Sequence, residues 1–256
     1  MKISIITVCL NSEKHIRTAI ESVLAQTYEN IEYIIIDGAS TDKTLDIVRS
    51  FELSISPKSL KIISEPDNGL YDAMNKGIRM ATGDFVGILN SDDFYNYPDS
   101  IETVVNYLRE TGVDMCFSDV RIIHPDNPGK TVRYYSSAGF HPALFRFGFM
   151  PAHPSCFIRR RLFDEIGYYK TDYHISADYE LLIRILYKHR ISYRYLAFDI
   201  IKMRTGGKST RSLKSNYILN KEIIRACREN GIYTSLFILS FKYFYKVFEL
   251  IFTKNK

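Results

Sequence analysis

The stretch FVGILNSDD, residues 85–93, joins an apolar run to a cluster of polar side chains. Its first five residues have the length and the continuous hydrophobicity of a strand that is buried on both faces. Two adjacent carboxylates, Asp92 and Asp93, follow the run after two polar residues. Neighbouring like charges repel each other unless water or a cation lies between them. The stretch therefore predicts a buried strand that ends either in a solvated turn or at a cation.

Similar apolar runs precede this one, and helical patterns separate them. The predicted strands cover residues 3–10, 31–36 and 60–64, and the predicted helices cover 13–26, the segment around Leu45 and Val48, and 71–80. Alternation of helices with continuously hydrophobic strands is typical of a parallel sheet with helices on both faces. We therefore expect an α/β fold with a mostly parallel central sheet.

Polar residues follow each predicted strand, namely Asn11, Asp37, the segment 65–67, and Asp92 with Asp93. Ligands of such sheets bind outside the carboxyl ends of the strands, so these side chains are expected to converge on one edge. The first turn contains no glycine, and no phosphate-cradling glycine loop is present. A dinucleotide-binding or P-loop mode is therefore excluded, because both depend on such a turn.

Composition narrows the class of protein. The chain has 256 residues, a formal charge of +5 and four cysteines that are far apart in sequence. This length suits one α/β domain, with or without an appendage. The cysteines form no metal-type pair, and three lie in apolar stretches, which fits a reducing compartment. We expect no nucleic-acid partner.

The aspartate pair has two interpretations. Mg²⁺ and Mn²⁺ prefer carboxylate oxygens and use only one or two of them, which leaves positions for phosphate. Asp93 and Asp92 would then bind a cation and a ribose hydroxyl. Alternatively, one of the two caps a turn before Pro98.

Several motifs occur in order: SIITVCLNSEKHIRTAIESVLAQTYENIEYIIIDGASTDKT, then SEPDNGLYDAMNKGIRMATGDFVGILNSDD. Over about residues 2–210 the chain resembles family 2 glycosyltransferases of the GT-A fold, and especially those that assemble bacterial O-antigen and other surface polysaccharides. The resemblance implies a GT-A domain over residues 1–212. Its first half, 1–110, would bind a nucleotide sugar, and its second half, 111–212, would bind the acceptor.

The resemblance also implies roles for the polar residues of the first half. Asp37 would accept a hydrogen bond from uracil or another base, and Thr7 and Asn11 would line the base and ribose pocket. Asp92 would face the ribose, and Asp93 would bind Mn²⁺ or Mg²⁺.

One position departs from the family pattern. Met74 stands in the sequence YDAMNKG, where many relatives have an arginine against the base. Asn75 and Lys76 are the candidates to take its place in donor binding.

Members of this family transfer a sugar with inversion of configuration, which requires one general base. The resemblance implies that Asp178, in SADYELLIR, is that base. The alternative is that Asp178 stabilises the start of a helix through the macrodipole. Glu180 is expected to be a solvated charge.

Two further segments match family features. His153, in PAHPSCFIRRR, would face the acceptor, although a lone histidine is also common as a structural residue. The segment MRTGGKSTRS, residues 203–212, would close over the donor, with Arg204 or Lys208 reaching the diphosphate. The alternative is a solvated loop.

The final segment, residues 233–256, is apolar and aromatic apart from one narrow polar stripe. Such a helix suits the bilayer interface, and packing against the domain is the competing interpretation. We therefore expect residues 213–256 to form a helical, amphipathic extension. With it the protein would lie in the cytoplasm, peripheral at the inner face of the cell membrane, and act on a polyprenyl-diphosphate-linked sugar.

Two rival functions remain at this point. A sugar-nucleotidyltransferase would require a glycine- and lysine-rich phosphate turn after the first strand, and this chain lacks one. A non-enzymatic membrane-associated scaffold would have no need of Asp93 or Asp178.

Overall fold

The computed structural model describes residues 1–52, 60–206 and 213–242. The strands in these ranges are β1 (Ile3–Cys9), β2 (Ile31–Asp37), β3 (Leu60–Ser64), β4 (Phe85–Ile88), β5 (Phe94–Tyr95), β6 (Met115–His124), β7 (Asn127–Tyr135), β8 (Phe157–Arg159) and β9 (Tyr193–Arg204). The helices are α1 (Ile16–Leu24), α2 (Thr44–Ser50), α3 (Leu70–Met80), α4 (Ser100–Thr111), α5 (Arg161–Ile166), α6 (Ala177–Ile183) and α7 (Leu213–Glu229). A π-helical turn, Arg184–Lys188, continues α6.

The first four strands form the parallel part of one sheet. β1 lies parallel between β2 and β4, and β3 pairs parallel with β2. Alternate side chains of β1 enter two cores: Ile5 packs in the core with residues of α1 and α4, and Ile6 in the core with residues of α3 and α6. Every residue of β1 is buried, which explains its continuous hydrophobicity. The predicted α/β fold is confirmed.

The second half of the chain extends the same sheet, whose order is β3-β2-β1-β4-β8-β6-β9-β5 with β7 paired to β6. β8 is antiparallel to both β4 and β6, whereas β9 runs parallel to β6. The short strand β8 therefore connects the two halves. Among the described residues no division between them interrupts the sheet, and the boundary at residue 110 stays a prediction.

Close packing of α3 on the sheet depends on Gly77. A Cβ atom at this position would lie 2.5 Å from the Ile6 side chain, so only glycine lets the helix approach β1 this closely.

The first helix begins at Ile16, later than predicted. Asn11 adopts a left-handed backbone with φ of 50°, and its Oδ1 accepts a hydrogen bond from Thr41 N at 2.9 Å, so it does not cap α1.

The strand order places a topological switch point beside β1, because β2 lies on one side of it and β4 on the other. Ser12 Oγ and Ser91 Oγ, in the loops after β1 and β4, share a hydrogen bond of 2.9 Å. Ser64 Oγ donates to Asp37 Oδ2 at 2.6 Å, which joins the ends of β2 and β3. The predicted convergence of the polar strand ends is confirmed.

The C-terminal extension contains two helical segments in the part that the structure describes, and residues 230–235 between them are not helical. Ala226 and Cys227 of α7 are fully buried in the core that α6 also enters, and residues 236–242 form part of a further helix. Leu239 and Lys242 are buried, whereas Tyr233 and Phe237 are 75% and 73% exposed. Within the described ranges, no helix combines the length and hydrophobicity needed to cross a bilayer. Most of the predicted amphipathic helix, residues 243–256, lies outside the described residues.

Candidate active site

A cavity of about 590 Å³ lies at the carboxyl ends of the strands. Five of the predicted site residues line it, although they come from four separate segments of the chain: Asp92, Asp93, His153, Asp178 and Arg204. The switch point beside β1 and β4 forms one wall, and α6 and the end of β9 contribute to the others. The structure therefore brings the predicted metal ligand and the predicted base to one cavity.

Asp93 is the most unusual group in this cavity. It is 1% exposed, and its Oδ2 accepts a hydrogen bond from Asn90 Nδ2 at 2.9 Å. Its Oδ1 is buried without a hydrogen-bond partner among the described residues. Burial, and then the charge of Asp92, raises the pKa of Asp93 well above its usual value. Because a buried, unsatisfied carboxylate oxygen is costly, a ligand with positive charge would stabilise this site.

Arg204, at the end of β9, supplies a cation to the same cavity. Its Nη1 donates to the backbone oxygen of Asp92 at 2.5 Å, and its guanidinium carbon lies 4.9 Å from the centre of the Phe94 ring. Its Nε is buried with no partner in the described part of the chain. Burial lowers the pKa of Arg204, yet a guanidinium remains protonated. A fixed guanidinium with an unused donor suits phosphate oxygens.

A divalent cation fits the donor set of this loop. The unpaired Asp93 oxygen is a hard ligand, and Asp92 carries a second carboxylate on the same cavity wall. In the ranges that the structure describes, no three His, Cys, Asp or Glu side chains are grouped as a metal site. Mg²⁺ and Mn²⁺ need only one or two carboxylates when phosphate completes the coordination. The residues present therefore suit a cation that is shared with a phosphate ligand.

Asp178 lies in the first turn of α6 and is half-buried against the cavity. Its Oδ1 accepts hydrogen bonds from Tyr179 N at 2.8 Å and from Tyr71 Oη at 3.4 Å. Burial raises the pKa of Asp178, although the neighbouring His153 acts in the opposite direction. An aspartate with a raised pKa is a stronger base once it is ionised. Asp178 therefore combines the helix-start position with access to the cavity.

His153 is buried beside Asp178. Its Nε2 and the Tyr169 hydroxyl share a hydrogen bond of 2.7 Å. Burial lowers the pKa of His153, and the charge of Asp178 only partly opposes this effect. A neutral imidazole held by a tyrosine therefore lies next to the candidate base.

Three predicted donor residues are not among the residues that line the cavity. Thr7 is buried, and its Oγ1 accepts a hydrogen bond from Tyr33 Oη at 3.0 Å. Asp37 is also buried, and its carboxylate accepts hydrogen bonds from the hydroxyls of Ser40 and Ser64. Asn11 is exposed and bonded to Thr41. Their contact with a nucleotide stays a prediction.

Asn75 and Lys76 do not line the cavity, and their side chains bind other parts of the protein. Asn75 is buried: its Nδ2 donates to Tyr169 O at 2.8 Å, and its Oδ1 accepts from Tyr169 N at 3.0 Å. Lys76 Nζ donates to Pro66 O at 2.8 Å and pairs with Glu65 at 2.8 Å. Both side chains thus hold neighbouring segments in place. Lys208 lies outside the described residues.

Sequence reasoning missed Glu222 of α7. Its carboxylate accepts three hydrogen bonds from successive backbone N–H groups, those of His174, Ile175 and Ser176, at 2.6, 2.9 and 2.9 Å. These residues lead directly into Asp178. The sequence carries no local signal of this contact, because nothing distinguishes Glu222 from a solvated acidic residue on an amphipathic helix.

The expectation for Glu180 was wrong. This residue is fully buried, and it pairs with Arg184 Nη2 and with Lys170 Nζ, each at 3.0 Å. The polar side of α6 faces α7 and the Lys170 segment instead of solvent, so the charge is paired inside the protein.

Comparison with known proteins agrees with this geometry. Residues 4–167 match the model of the family described as Glycosyl transferase family 2. A relative from Mycobacterium bovis, described as a PGL/p-HBAD biosynthesis glycosyltransferase, is 30% identical over 223 residues, which cover 87% of this chain and 82% of the relative.

Solved structures share the fold. Staphylococcus aureus TarS 1–349 in complex with UDP-GlcNAc has a TM-score of 0.68 at 18% identity, covering 91% of this chain and 68% of TarS. The mannosyltransferase PcManGT from Pyrobaculum calidifontis, in complex with GDP-Man and Mn²⁺, has a TM-score of 0.59 at 16% identity, covering 97% of this chain and 80% of that protein. The GT-A-like fold is thereby confirmed, and by its sequence the chain belongs to glycosyl transferase family 2 and is a glycosyltransferase.

Proposed function

We propose that this glycosyltransferase transfers a hexose from a UDP-linked donor to a lipid-linked oligosaccharide, with inversion of configuration and with Mn²⁺ or Mg²⁺ as cofactor. The main support is that one cavity contains a buried carboxylate with an unpaired oxygen, a guanidinium and a second carboxylate of raised pKa. UDP-GlcNAc bound to TarS supports the nucleotide, and Mn²⁺ bound to PcManGT supports the cofactor.

At the donor end, Asp93 would hold the cation with help from Asp92, which also faces the ribose. The cation would neutralise charge on the departing diphosphate. Arg204 would donate its unused Nε–H group to a phosphate oxygen. Lys208 is assigned to the same phosphates.

The base and ribose end of the donor is assigned to Asp37, Thr7 and Asn11, which lie at the ends of β1 and β2. Asn75 and Lys76 act less directly in this proposal. They would keep the wall of the cavity in position through Tyr169 and the residues before α3.

At the acceptor end, the Asp178 carboxylate would remove the proton from the attacking hydroxyl. The hydroxyl oxygen forms a bond to the anomeric carbon as the bond between that carbon and the diphosphate oxygen breaks. The leaving UDP takes the electron pair. Attack from the side opposite UDP inverts the configuration. His153, held neutral by burial, would help to orient the acceptor beside Asp178.

The setting would be surface polysaccharide synthesis of the O-antigen type, at the inner face of the cell membrane. The exposed aromatic residues Tyr233 and Phe237 support contact with a lipid surface. The description of the Mycobacterium bovis relative as a PGL/p-HBAD biosynthesis glycosyltransferase supports a biosynthetic role for the sugar transfer.

The test is hydrolysis and transfer from a panel of UDP-sugars, with and without added Mn²⁺ or Mg²⁺. UDP release should require the metal, and Asp93→Asn should reduce it at least about 100-fold, because loss of one charged group that stabilises the transition state costs about 10²–10³. Asp46→Asn is the matched control, since Asp46 is an exposed carboxylate on α2.

UDP release that is independent of metal would contradict the assigned cofactor. Transfer at the normal rate by Asp93→Asn would contradict the assigned ligand. Family membership already disfavours the two rival functions, nucleotidyl transfer and a scaffold.

A further inference from the structure

A second cavity adjoins the cavity of the candidate active site, here named the donor cavity, and Asp178 lines both. It has a volume of about 700 Å³ and shares Asp178, His153, Ile122 and Met203 with the donor cavity. The candidate base therefore lies at the junction of the two spaces. A molecule in the second cavity would present its end to Asp178 and to the donor.

The walls of this second cavity are mainly apolar. They include Phe140, Leu144, Phe149, Met150, Leu219 and Ile223. The last two belong to α7, which lies beyond residues 4–167 that match the family model. The C-terminal extension thus forms part of this pocket in addition to packing on the core.

Ser176 contributes a polar group to the pocket. Ser176 is 1% exposed and lines the cavity, and its Oγ makes no hydrogen bond with the described residues. It lies two residues before Asp178, in the segment whose backbone Glu222 holds. Since a buried hydroxyl without a partner is unfavourable, this atom points to a ligand with a hydrogen-bonding group.

We propose that this cavity, the apolar acceptor pocket, binds an alkyl or aryl group of the acceptor that lies close to the accepting hydroxyl. This inference rests on the proposed function and narrows its acceptor class to molecules whose apolar group lies next to the hydroxyl that receives the sugar. Ser176 donates a hydrogen bond to an oxygen at the polar end of that group, and the accepting hydroxyl reaches Asp178. A sugar chain alone would leave the aromatic and aliphatic walls unmatched, because sugars need many polar partners.

The chain contains no tryptophan, so a single introduced tryptophan can report on the pocket. In Phe149→Trp, titration with octyl β-D-glucopyranoside below its micelle concentration should give a saturable blue shift of the emission. Methyl β-D-glucopyranoside carries the same sugar without the tail. It should bind at least about tenfold more weakly. Burial of only two methylene groups of the octyl tail is enough for about a tenfold gain in affinity. Ser176→Ala in the same reporter should weaken octyl glucoside binding by about fivefold.

Tyr217→Trp is the matched control, because Tyr217 is exposed on α7 and outside the pocket. It should show no saturable shift, which separates pocket binding from adsorption to the surface. Leu144→Trp, on another pocket residue, serves as reporter if Phe149→Trp does not fold. Equal binding of octyl and methyl glucoside, or a shift only in Tyr217→Trp, would overturn the inference.

Calorimetric titration of the same proteins with UDP and Mn²⁺ separates the two proposals. If UDP binds and octyl glucoside binds no better than methyl glucoside, the inference about the apolar acceptor pocket is wrong and the donor proposal is retained. If octyl glucoside saturates the pocket reporter and UDP does not bind, the donor proposal fails, and the cavity is an alkyl-binding site of another kind.

Discussion

Asp178 shows how distant parts of the chain define the chemistry of one residue. Tyr71 donates to it from 107 positions away, His153 lies next to it, and Tyr169 holds His153. Burial, rather than the charge of any neighbour, is the main cause of its raised pKa. The packing of the protein around Asp178 is therefore what makes its carboxylate a stronger base than a solvated aspartate.

Asp178→Asn should reduce sugar transfer by about 10²–10⁴-fold, because it removes a general base while keeping the shape of the side chain. Binding of UDP with Mn²⁺ should change by less than about twofold, which calorimetry would measure. Normal transfer by this variant would remove Asp178 from the role of base. Asp172→Asn, an exposed aspartate on the preceding loop, is the control.

The pH dependence of kcat/KM should also reflect Asp178. Because burial raises its pKa, the ionised form appears only at a pH above the range of a solvated aspartate. Activity should therefore fall as the pH falls through this raised pKa, and the loss should begin at a higher pH than an ordinary aspartate would give. A profile that stays flat down to the usual aspartate range would contradict this assignment.

At the scale of elements, α7 holds the segment that precedes Asp178, the proposed base. The Glu222 carboxylate binds three successive N–H groups of residues 174–176. Lys242, from the helix beyond α7, donates to Asn220 Oδ1 of α7 at 2.8 Å. The C-terminal extension is thus connected to the segment before Asp178 by hydrogen bonds as well as by apolar packing.

Glu222→Ala should lower the free energy of unfolding by at least about 3 kcal/mol, since it leaves three buried or half-buried N–H groups without their charged acceptor. Urea unfolding would measure the change. Transfer should fall more than UDP binding, because the displaced segment carries Asp178 and not the donor ligands. Lys221→Ala, at an exposed neighbouring position of α7, is the control. Equal stability of the two variants would show that Glu222 does not hold the segment.

Glu32 of β2 links the amino-terminal end of the sheet to the turn after α3. It accepts hydrogen bonds from Ser4 Oγ at 2.6 Å, from Thr82 N at 2.7 Å and from Lys61 Nζ at 2.8 Å. Burial opposes its ionisation, but these hydrogen bonds outweigh that effect and lower the pKa of Glu32 to about 2. The ionised carboxylate therefore stabilises the folded state.

Glu32→Gln should lower the free energy of unfolding by about 3 kcal/mol at neutral pH. Since the folded pKa lies below the ordinary value of 4.5, this stabilisation is complete above that value and disappears as the pH falls towards about 2. The difference between wild type and variant, measured by urea unfolding, should shrink across this window. Glu29→Gln, at an exposed position, should show no such change.

At the scale of the whole molecule, the exposed apolar residues that follow α7 in the described chain lie together in sequence. They are Tyr233, Leu236, Phe237 and Phe241, whereas Leu239 of the same helix is buried. Large exposed aromatic side chains on one face mark an interaction surface. The proposed membrane contact would use this face, while Leu239 and Lys242 on the other side of the segment are buried against the domain.

The double variant Phe237→Asp, Phe241→Asp should reduce binding to vesicles of phosphatidylglycerol and phosphatidylethanolamine at least about tenfold. The reason is that it places charge where the membrane would otherwise bury two apolar side chains. Co-sedimentation would measure binding. Tyr217→Asp, at an exposed aromatic outside this face, is the control. Unchanged partitioning of the double variant would contradict peripheral membrane association.

Sequence reasoning recovered the parallel strands and the cavity residues Asp92, Asp93 and Asp178, because strand periodicity and motif order are local properties. It also placed Asn75 and Lys76 in donor binding, which stays a prediction. The structure shows Asn75 hydrogen-bonded to the Tyr169 backbone and Lys76 to Pro66 O and Glu65. It misjudged Glu180, since the helical pattern does not reveal which polar face another helix will cover.

The amino-acid sequence by itself determined the β/α alternation, the polar strand ends and the family of this protein, because these depend on residue type and on spacing along the chain. Only the tertiary structure decided which groups meet. The unpaired oxygens of Asp93 and Ser176, the contact of Glu222 with residues 174–176, and the apolar cavity beside Asp178 all depend on packing between segments far apart in sequence. Burial removes the water that would otherwise satisfy these groups, and it is therefore burial that gives them their chemistry.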